Sequence, residues 1–511
     1  MKRELSRRGF IVGSCAAGAA AMLGTTGCAP RSAQPAVLWK PRTGERFALA
    51  NAHIVDVEKG ELISGKVLLV MGDKIEDIVL PEDPRTANAR EINCMGSYLI
   101  PGLINAHTHI TQPSVAHFEM SEVGEVMDQV IHNYEDSLTW GVTTVRDMGS
   151  MPKIMDRDKS RIDAGKLHGP HILTPIGFIS VPGGYPEFMQ ELPFLTRLMI
   201  GRPTLVVENA AEARDAVKRY HDLGADFVKI ALDHKSLIYG HDDLPVFTDD
   251  QLEAIRDETV KLGMKVAAHH TYSQGLRQGI KFAVDSLEHL PGDREITDEE
   301  AMMVTDSLTP FVPTATAGIN LAYTSEGDPY SSDPFVVHAL QWREENVLPE
   351  LPKHCLPKVQ ELCLESMEYY EREDYRDPEK AFFPTFNPPV FTRMVAKGSV
   401  NLEKLISAGA VIGMGNDSGL PLLFPGALHH EMEIVAERGM TAAQALRAAT
   451  MVNARICGLE DVCGKLVPGM RADITMLQKN PLEDVHNAAT IQCTIKSGAF
   501  VHYTTERFPP V

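Results

Sequence analysis

The chain has 511 residues, 44% of them hydrophobic and 23% charged, with a formal net charge of -20. That length exceeds one small domain and affords a sizeable core, so a large domain with a satellite, or several domains, is expected. The acidic balance repels a phosphate backbone and excludes nucleic acid as the expected partner, while eight cysteines without CxxC spacing argue against a disulfide framework or a thiolate metal site.

Residues 1–28 read as an export signal, with a basic start, the pair Arg7 and Arg8, and a small-residue apolar run to Leu23. The run is shorter than the roughly 20 residues needed to span a bilayer. The stretch "SRRGF" resembles the twin-arginine signal, whose pathway carries folded proteins, so that a metal could be loaded before export. "TTGC", ending at Cys28, resembles a lipobox with Thr25 where leucine is usual. The expectation is an exported protein, either periplasmic or tethered to a membrane surface as a lipoprotein through Cys28; an ordinary cleaved signal with a chance cysteine is the alternative. Residues 29–40 are a linker.

Residues 41–100 and 461–505 carry short alternating strands with glycine turns, the pattern of one small β-sandwich built from both chain ends. Between them, over 101–460, one unit recurs: an amphipathic helix, a glycine, a short apolar run, then a polar residue where the run ends. "WGVTTVRD" (140–147), "LGADFVKI" (223–230), "LGMKVAAHH" (262–270), "FAVDSLEH" (282–289) and "AGAVIGMGND" (408–417) are the clearest cases. Glycine accepts the left-handed cap, and a run of four to six apolar residues suits a strand buried on both faces. Capping boxes at Thr248, Thr297 and Thr441 mark helix starts. With "SYLIPGLI" (97–104), "GPHILTPI" (169–176) and "TPFVPT" (309–314) there are eight strand candidates, so an α/β fold is predicted, a (β/α)8 barrel inserted in the sandwich. Residues 318–400 are an insertion that a barrel does not need, read as a lid or a surface elaboration.

The polar residues that close the strands are His107, His109, Lys229, His269, His289 and Asp417. All fall at the C-terminal strand ends, the face where barrel active sites are built. In "PGLINAHTHI" the H-x-H spacing turns both imidazoles to the same side of a strand, so both can reach one ion; His269 and His289 can serve a second ion from neighbouring strands. Asp417 can ligate and also take a proton from a bound water. A protonated Lys229 has no lone pair, but as a carbamate (N6-carboxylysine) it becomes an anionic bridge between two ions. Two dications against Asp417, a carbamate and a hydroxide leave a site that still attracts an oxyanion. Taken singly, each residue has a plainer reading as a hydrogen-bonded histidine, an exposed lysine or a turn; agreement of all six at the ends of inferred strands selects the metal site.

The blocks "PGLINAHTH", "GVTTVRDMG", "ADFVKI", "VAAHHTY", "VDSLEH", "GMGNDSG" and "LVPGMRADI" resemble the signatures of the metal-dependent amidohydrolase superfamily, in particular its imidazolonepropionase and Xaa-Pro dipeptidase-like branch. The resemblance covers residues 45–500. It implies a binuclear site of two divalent ions, usually zinc. His107, His109 and Asp417 would bind one, His269 and His289 the other, and carboxylated Lys229 would bridge them. It also implies a hydrolase that cleaves an amide C–N bond of a small-molecule substrate, such as a dipeptide, an acylated amino acid or a cyclic amide. Attack would come from a metal-bridging hydroxide, with Asp417 as the catalytic proton acceptor. A lactonase or aminoheterocycle deaminase on the same site, and a non-catalytic exported binding protein, are the alternatives, and an oligomer is compatible with all of them. The loops depart from the branch: Tyr185 stands where a histidine is common after strand 3, "ALDHKS" replaces a glycine-rich turn, and Thr271 replaces a further histidine. Tyr185, His270, Tyr272 and Tyr323 are candidates for the pocket wall.

Overall fold

The computed structural model describes residue 40, residues 44–115, 118, 120–149, 151–190, 192, 194–236, 243–371 and 388–504. The expected export signal, Cys28 and nearly all of the linker lie outside the described residues, as do residues 237–242 and 372–387. Among the described residues, no helix is long and apolar enough to cross a membrane.

Both ends of the chain build one eight-stranded sheet. Its N-terminal strands are β1 (Arg46–Asp56), β2 (Glu61–Ile63), β3 (Val67–Met71), β4 (Lys74–Val79) and β5 (Arg90–Pro101). The barrel strands follow: β6 (Leu103–Thr108), β7 (Val142–Asp147), β8 (His171–Leu173), β9 (Phe178–Ser180), an extra strand β10 (Thr204–Val206), β11 (Val228–Ala231), β12 (Val266–His269), β13 (Ser286–Glu288) and β14 (Phe311–Val312). The chain ends on β15 (Ile474–Leu477), β16 (Ile491–Lys496) and β17 (Ala499–Tyr503). The terminal sheet runs β17-β16-β15-β5-β1-β3-β4, with β2 on β1, and folds over on itself. The rings of Phe47 on β1 and Phe500 on β17 lie 5.8 Å apart although three strands separate them, and Ile75 on the edge strand β4 donates its N–H to Met470 O. Leu49, Leu68, Leu99, Ile474 and Ile495 fill the enclosed core.

The barrel closes from two parallel sheets, β6-β7-β8 and β10-β9-β11-β12-β13-β14. Its third strand is split. β8 pairs with β7, while β9 pairs with β11. Asp226 and Thr174 bridge the break by two hydrogen bonds of 2.8 Å. Residues 411–414 close the ring, because Phe311 N donates to Val411 O (2.8 Å) and Ala106 N to Met414 O (2.9 Å). All residues of β6, β7, β11 and β12 are buried, as strands packed on both faces require.

Seven of the eight expected apolar runs fall on the barrel strands or on the closing residues 411–414; the first, 97–104, lies mostly on β5 of the terminal sheet and reaches the barrel only with Leu103 and Ile104 of β6, because the chain passes straight from one sheet into the other at Gly102. All three capping boxes form, Thr248 with Gln251, Thr297 with Glu300 and Thr441 with Gln444. Gly141, Gly224, Gly263 and Gly409 adopt left-handed conformations before their strands; in the unit that lacks a glycine there, Ala283 takes the same conformation at φ 49°. The insertion carries helices on either side of a non-helical stretch at 322–333, with Val336, Trp342, Leu351 and Val359 packing on Phe424 and Ile434 of the barrel. The helix Pro388–Ser407 brings it over the strand ends.

Candidate metal centre

β6 ends by turning His107 and His109 to one side, and the residues that follow strand 8 meet them there. Asp417 N donates to His107 O (3.0 Å), and His109 N donates to Ser418 O (2.7 Å), so the two strand ends are bound together at the site. Asp417 Oδ1 lies 3.2 Å from Nε2 of both His107 and His109, and its Oδ2 is 3.9 Å from His289 Nδ1. The His289 ring is 4.6 Å from that of His107 and 4.5 Å from that of His269. Lys229, on β11 beside β12, completes the set, and all six sequence-predicted residues line one cavity. His289 (φ 75°) and Asp417 (φ 51°) both hold left-handed conformations, at a cost of about 1–3 kcal/mol each that the surrounding structure must offset.

Each imidazole has one nitrogen held from behind. His107 Nδ1 meets Glu288 Oε2 at 2.8 Å, His109 Nδ1 meets Gly149 O at 2.5 Å, His269 Nε2 meets Asp233 Oδ2 at 3.1 Å, and His289 Nδ1 meets Thr314 Oγ1 at 2.8 Å. A carboxylate or carbonyl behind a ring fixes its tautomer and directs the other nitrogen's lone pair away from it, the support that metal-ligating histidines need. Glu288 is itself anchored by Arg146 Nη2 at 2.7 Å, and Asp233 by the amide of Thr271 at 2.9 Å. These supporting groups were not identified in the sequence. Only the H-x-H pair and the strand-end positions carried a local signal, whereas Arg146 and Glu288 are 142 residues apart.

The electrostatics agree with a cation in the cavity. Lys229 is 1% exposed, its Nζ has no hydrogen-bond partner, and burial lowers its pKa to about 8. Burial and the neighbouring positive groups drive His269 and His289 well below the usual histidine range, so their rings are neutral donors. Burial would raise Asp417, but His107, His109 and His289 outweigh it and keep the carboxylate ionised. Beyond their 3.2 Å approach, His107 Nε2 and Asp417 Oδ1 make no well-formed hydrogen bond, and His107, His289 and Asp417 place ligand atoms within 4.8 Å of one another. Four imidazoles, an ionised carboxylate and an orphaned amine that can be carboxylated form a donor set suited to divalent ions.

Of the four wall candidates, Tyr185 lines the cavity and stacks on His269, with centroids 4.5 Å apart and planes at 14°. Thr271 lines it as well. His270 does not; it is fully buried, with Nδ1 2.9 Å from Glu288 O. Tyr272 accepts from Arg393 Nη2 at 2.9 Å, and Tyr323 packs beside Phe391 and Met394. The rest of the wall is mostly apolar: Phe178, Pro186, Phe188, Met189, Phe391, Met394 and Leu420.

Comparison with known proteins places this geometry in a family. Ochratoxinase from Aspergillus niger is 24% identical over 289 residues, 55% of this chain and 47% of that protein. Dihydroorotase from Wolbachia sp. subsp. Drosophila simulans (strain wRi) is 34% identical over 104 residues, 20% of this chain and 21% of that one. The alignments thus span from about a fifth to a half of these curated relatives. Among solved structures, a Xaa-Pro dipeptidase with methionine bound in its active site superposes with TM-score 0.67 at 21% identity, covering 90% of this chain and 100% of that one. The A. niger ochratoxinase structure gives 0.64 at 18% identity, covering 91% and 97%. These two structures share the fold. The family model named Amidohydrolase family matches residues 98–501, from the strand that leads into "PGLINAHTH" to the last strand of the terminal sheet, and the chain belongs to that family.

Proposed function

We propose that the protein hydrolyses the C–N bond of an amide at a binuclear metal centre, acting on small substrates with apolar groups beside the scissile bond. The observation that carries this reading is the convergence of four imidazoles, each held at one ring nitrogen, with Asp417 and the orphaned Lys229 on one cavity. His107, His109 and Asp417 would hold one ion and His269 and His289 the other, with carboxylated Lys229 between them. Two divalent ions held there, zinc by the nature of the donors, would supply Lewis acidity.

The chain's own residues do the rest. Asp417, held ionised by its histidine neighbours, accepts the proton released on attack and delivers it to the departing nitrogen. Glu288 and Asp233 keep His107 and His269 oriented. Tyr185, stacked on His269, walls the cavity and keeps water from that side of the ring. Phe178, Phe188, Phe391 and Met394 offer apolar contact to substrate, and the described lining contains no arginine to bind a substrate carboxylate. The shared fold with a Xaa-Pro dipeptidase supports an amide as the bond cleaved.

The test is a panel of apolar N-acyl amides, charged dipeptides, lactones and aminoheterocycles presented to the metal-loaded full chain. Apolar amides should be cleaved with kcat/KM at least about tenfold above charged dipeptides, the worth of one poorly matched group. Turnover confined to lactones or aminoheterocycles would reject the amide reading, and a protein that binds two ions but turns over nothing would reject an enzyme. In parallel, Lys229→Ala should lose bound metal by elemental analysis; unchanged content and activity would remove the carbamate bridge.

A further inference from the structure

A second cluster of ligating side chains lies outside the catalytic cavity, where the insertion meets the barrel. His429 and His430 start the helix Leu428–Glu437 that follows strand 8, and Glu350 and His354 come from the insertion segment above it. Three imidazoles converge on one carboxylate oxygen: Glu350 Oε2 is 3.0 Å from His429 Nε2, 3.1 Å from His430 Nε2 and 3.9 Å from His354 Nε2. Glu350, His354 and His429 place their ligand atoms within 4.8 Å of one another. None of the four lines the catalytic cavity.

Ordinary hydrogen bonding leaves this cluster incomplete. His354 is 2% exposed, and its Nε2, aimed at the shared oxygen, has no hydrogen-bond partner. Its Nδ1 is held at 2.9 Å by Asp136 Oδ1, and Asp136 is fixed in turn by the amide of Gly426 at 2.8 Å. This is the arrangement of carboxylate behind imidazole that supports His107 and His269 in the first site. Trp140 stacks on both His354 and His429, with centroids 4.7 Å away in each case, and so sets both ring planes. The resemblance to the first site is geometric: there Asp417 Oδ1 stands among imidazole nitrogens at 3.2 Å, as Glu350 Oε2 does here.

We propose that Glu350, His354 and His429, with His430 as fourth donor, bind a structural divalent ion of the zinc class that clamps the insertion to the barrel. Three imidazoles and one carboxylate suit four-coordinate zinc, and a closed set of protein donors marks a structural rather than a catalytic ion. The charges balance, because Glu350 and Asp136 together neutralise a dication. Glu350, 22% exposed at its side chain, gives the ion its way in. The clamp bears on the active site through the insertion, whose later helix, Pro388–Ser407, carries Phe391 and Met394 into the catalytic cavity.

Anomalous diffraction at the zinc edge tests this on the full chain, stripped with a chelator and reloaded with stoichiometric zinc. A peak is expected at about 2.0–2.2 Å from Glu350 and the imidazole nitrogens, apart from any peak at Asp417. His429→Ala should lose that peak, bind one zinc fewer per chain and forfeit part of the rise in Tm that zinc gives the wild type, while metal at Asp417 persists. Wild-type crystals with zinc at Asp417 and none at Glu350 would overturn the proposal, as would a peak seen only at millimolar zinc. Should His429→Ala not fold, Glu350→Gln with the same zinc count decides: an unchanged complement would also overturn it.

Discussion

Glu288 is fully buried and spends both oxygens on partners that must not move: Arg146 Nη2 on Oε1 and His107 Nδ1 on Oε2. Burial would raise its pKa, but Arg146 and His107 outweigh it and hold the carboxyl well below the usual carboxylate range. Glu288→Gln keeps the shape but sets an amide against one of two donors. Metal affinity measured by chelator competition is expected to fall about 10- to 100-fold, the usual cost of losing such a supporting group. Glu288→Ala should also cost about 3–5 kcal/mol in denaturant unfolding, since it leaves Arg146 (2% exposed) buried without a counter-charge. Asp417→Asn separates binding from proton transfer. Much of the metal should remain, while kcat falls by about 10²- to 10⁴-fold, the range of a lost general base. Near-normal turnover in that variant would assign the proton to another group.

At the scale of elements, the join between the terminal sheet and the barrel rests on Asp473, which immediately precedes β15. It is 4% exposed, pairs with Arg471 Nε at 2.6 Å, accepts from Ser497 N at 2.8 Å and faces His171 of β8 at 3.6 Å. Burial would raise its pKa, yet His171, Arg471 and the Ser497 amide together hold it well below the usual range. A folded pKa below the unfolded value of about 3.9 stabilises the protein above that pH and ceases to do so as pH falls through the folded value. Asp473→Asn should therefore lower stability by about 2 kcal/mol at neutral pH, the worth of a charged hydrogen bond. The Tm gap between variant and wild type should hold from pH 8 to about 5 and close only in stronger acid. A gap independent of pH would mean that packing, not charge, makes this join. Elements of this kind mark the limit of what the sequence revealed. Apolar runs, capping boxes and the H-x-H pair are local patterns, so seven of the eight strands and the six converging residues could be read directly, while the continuous apolar stretch through Pro101 hid the passage from β5 into β6. Asp233 behind His269, Thr314 behind His289 and the split of the third strand depend on contacts made only once the barrel closes. His429 and His430 stood in plain sight as a pair, but their partners Glu350 and His354 lie in an insertion with no barrel periodicity to place them.

For the whole molecule, the two chain ends are a support for the strands that carry the candidate ligands and not an appendage. β5 runs directly into β6, and Gly102 between them donates to Asp473 O at 2.9 Å, five residues before His107. β15 pairs with β5, β16 pairs with β15, and Thr475 Oγ1 donates to Gly141 O at the start of β7. The last two strands therefore brace the first two strands of the barrel through β15. Ending the chain after Thr490 removes β16 and β17, and with them the buried side chains of Cys493, Ile495 and Phe500. Ile495 and Phe500 each contribute about 1.5–3 kcal/mol by burial, and their loss also exposes Phe47, Leu99 and Met476. The sum reaches the 5–15 kcal/mol by which a domain is stable, and it leaves β15 as an open edge. The truncated chain is expected to lose its cooperative melting transition, bind an apolar dye and fail to retain metal at His107, although every predicted ligand is still present. Phe500→Ala, which leaves the strand pairing intact, should instead lower stability by about 3–5 kcal/mol and keep the metal. If the truncated chain melted cooperatively with its metal bound, the barrel would be self-sufficient, and the pairing of the two chain ends would have to serve some purpose other than holding β6 in place.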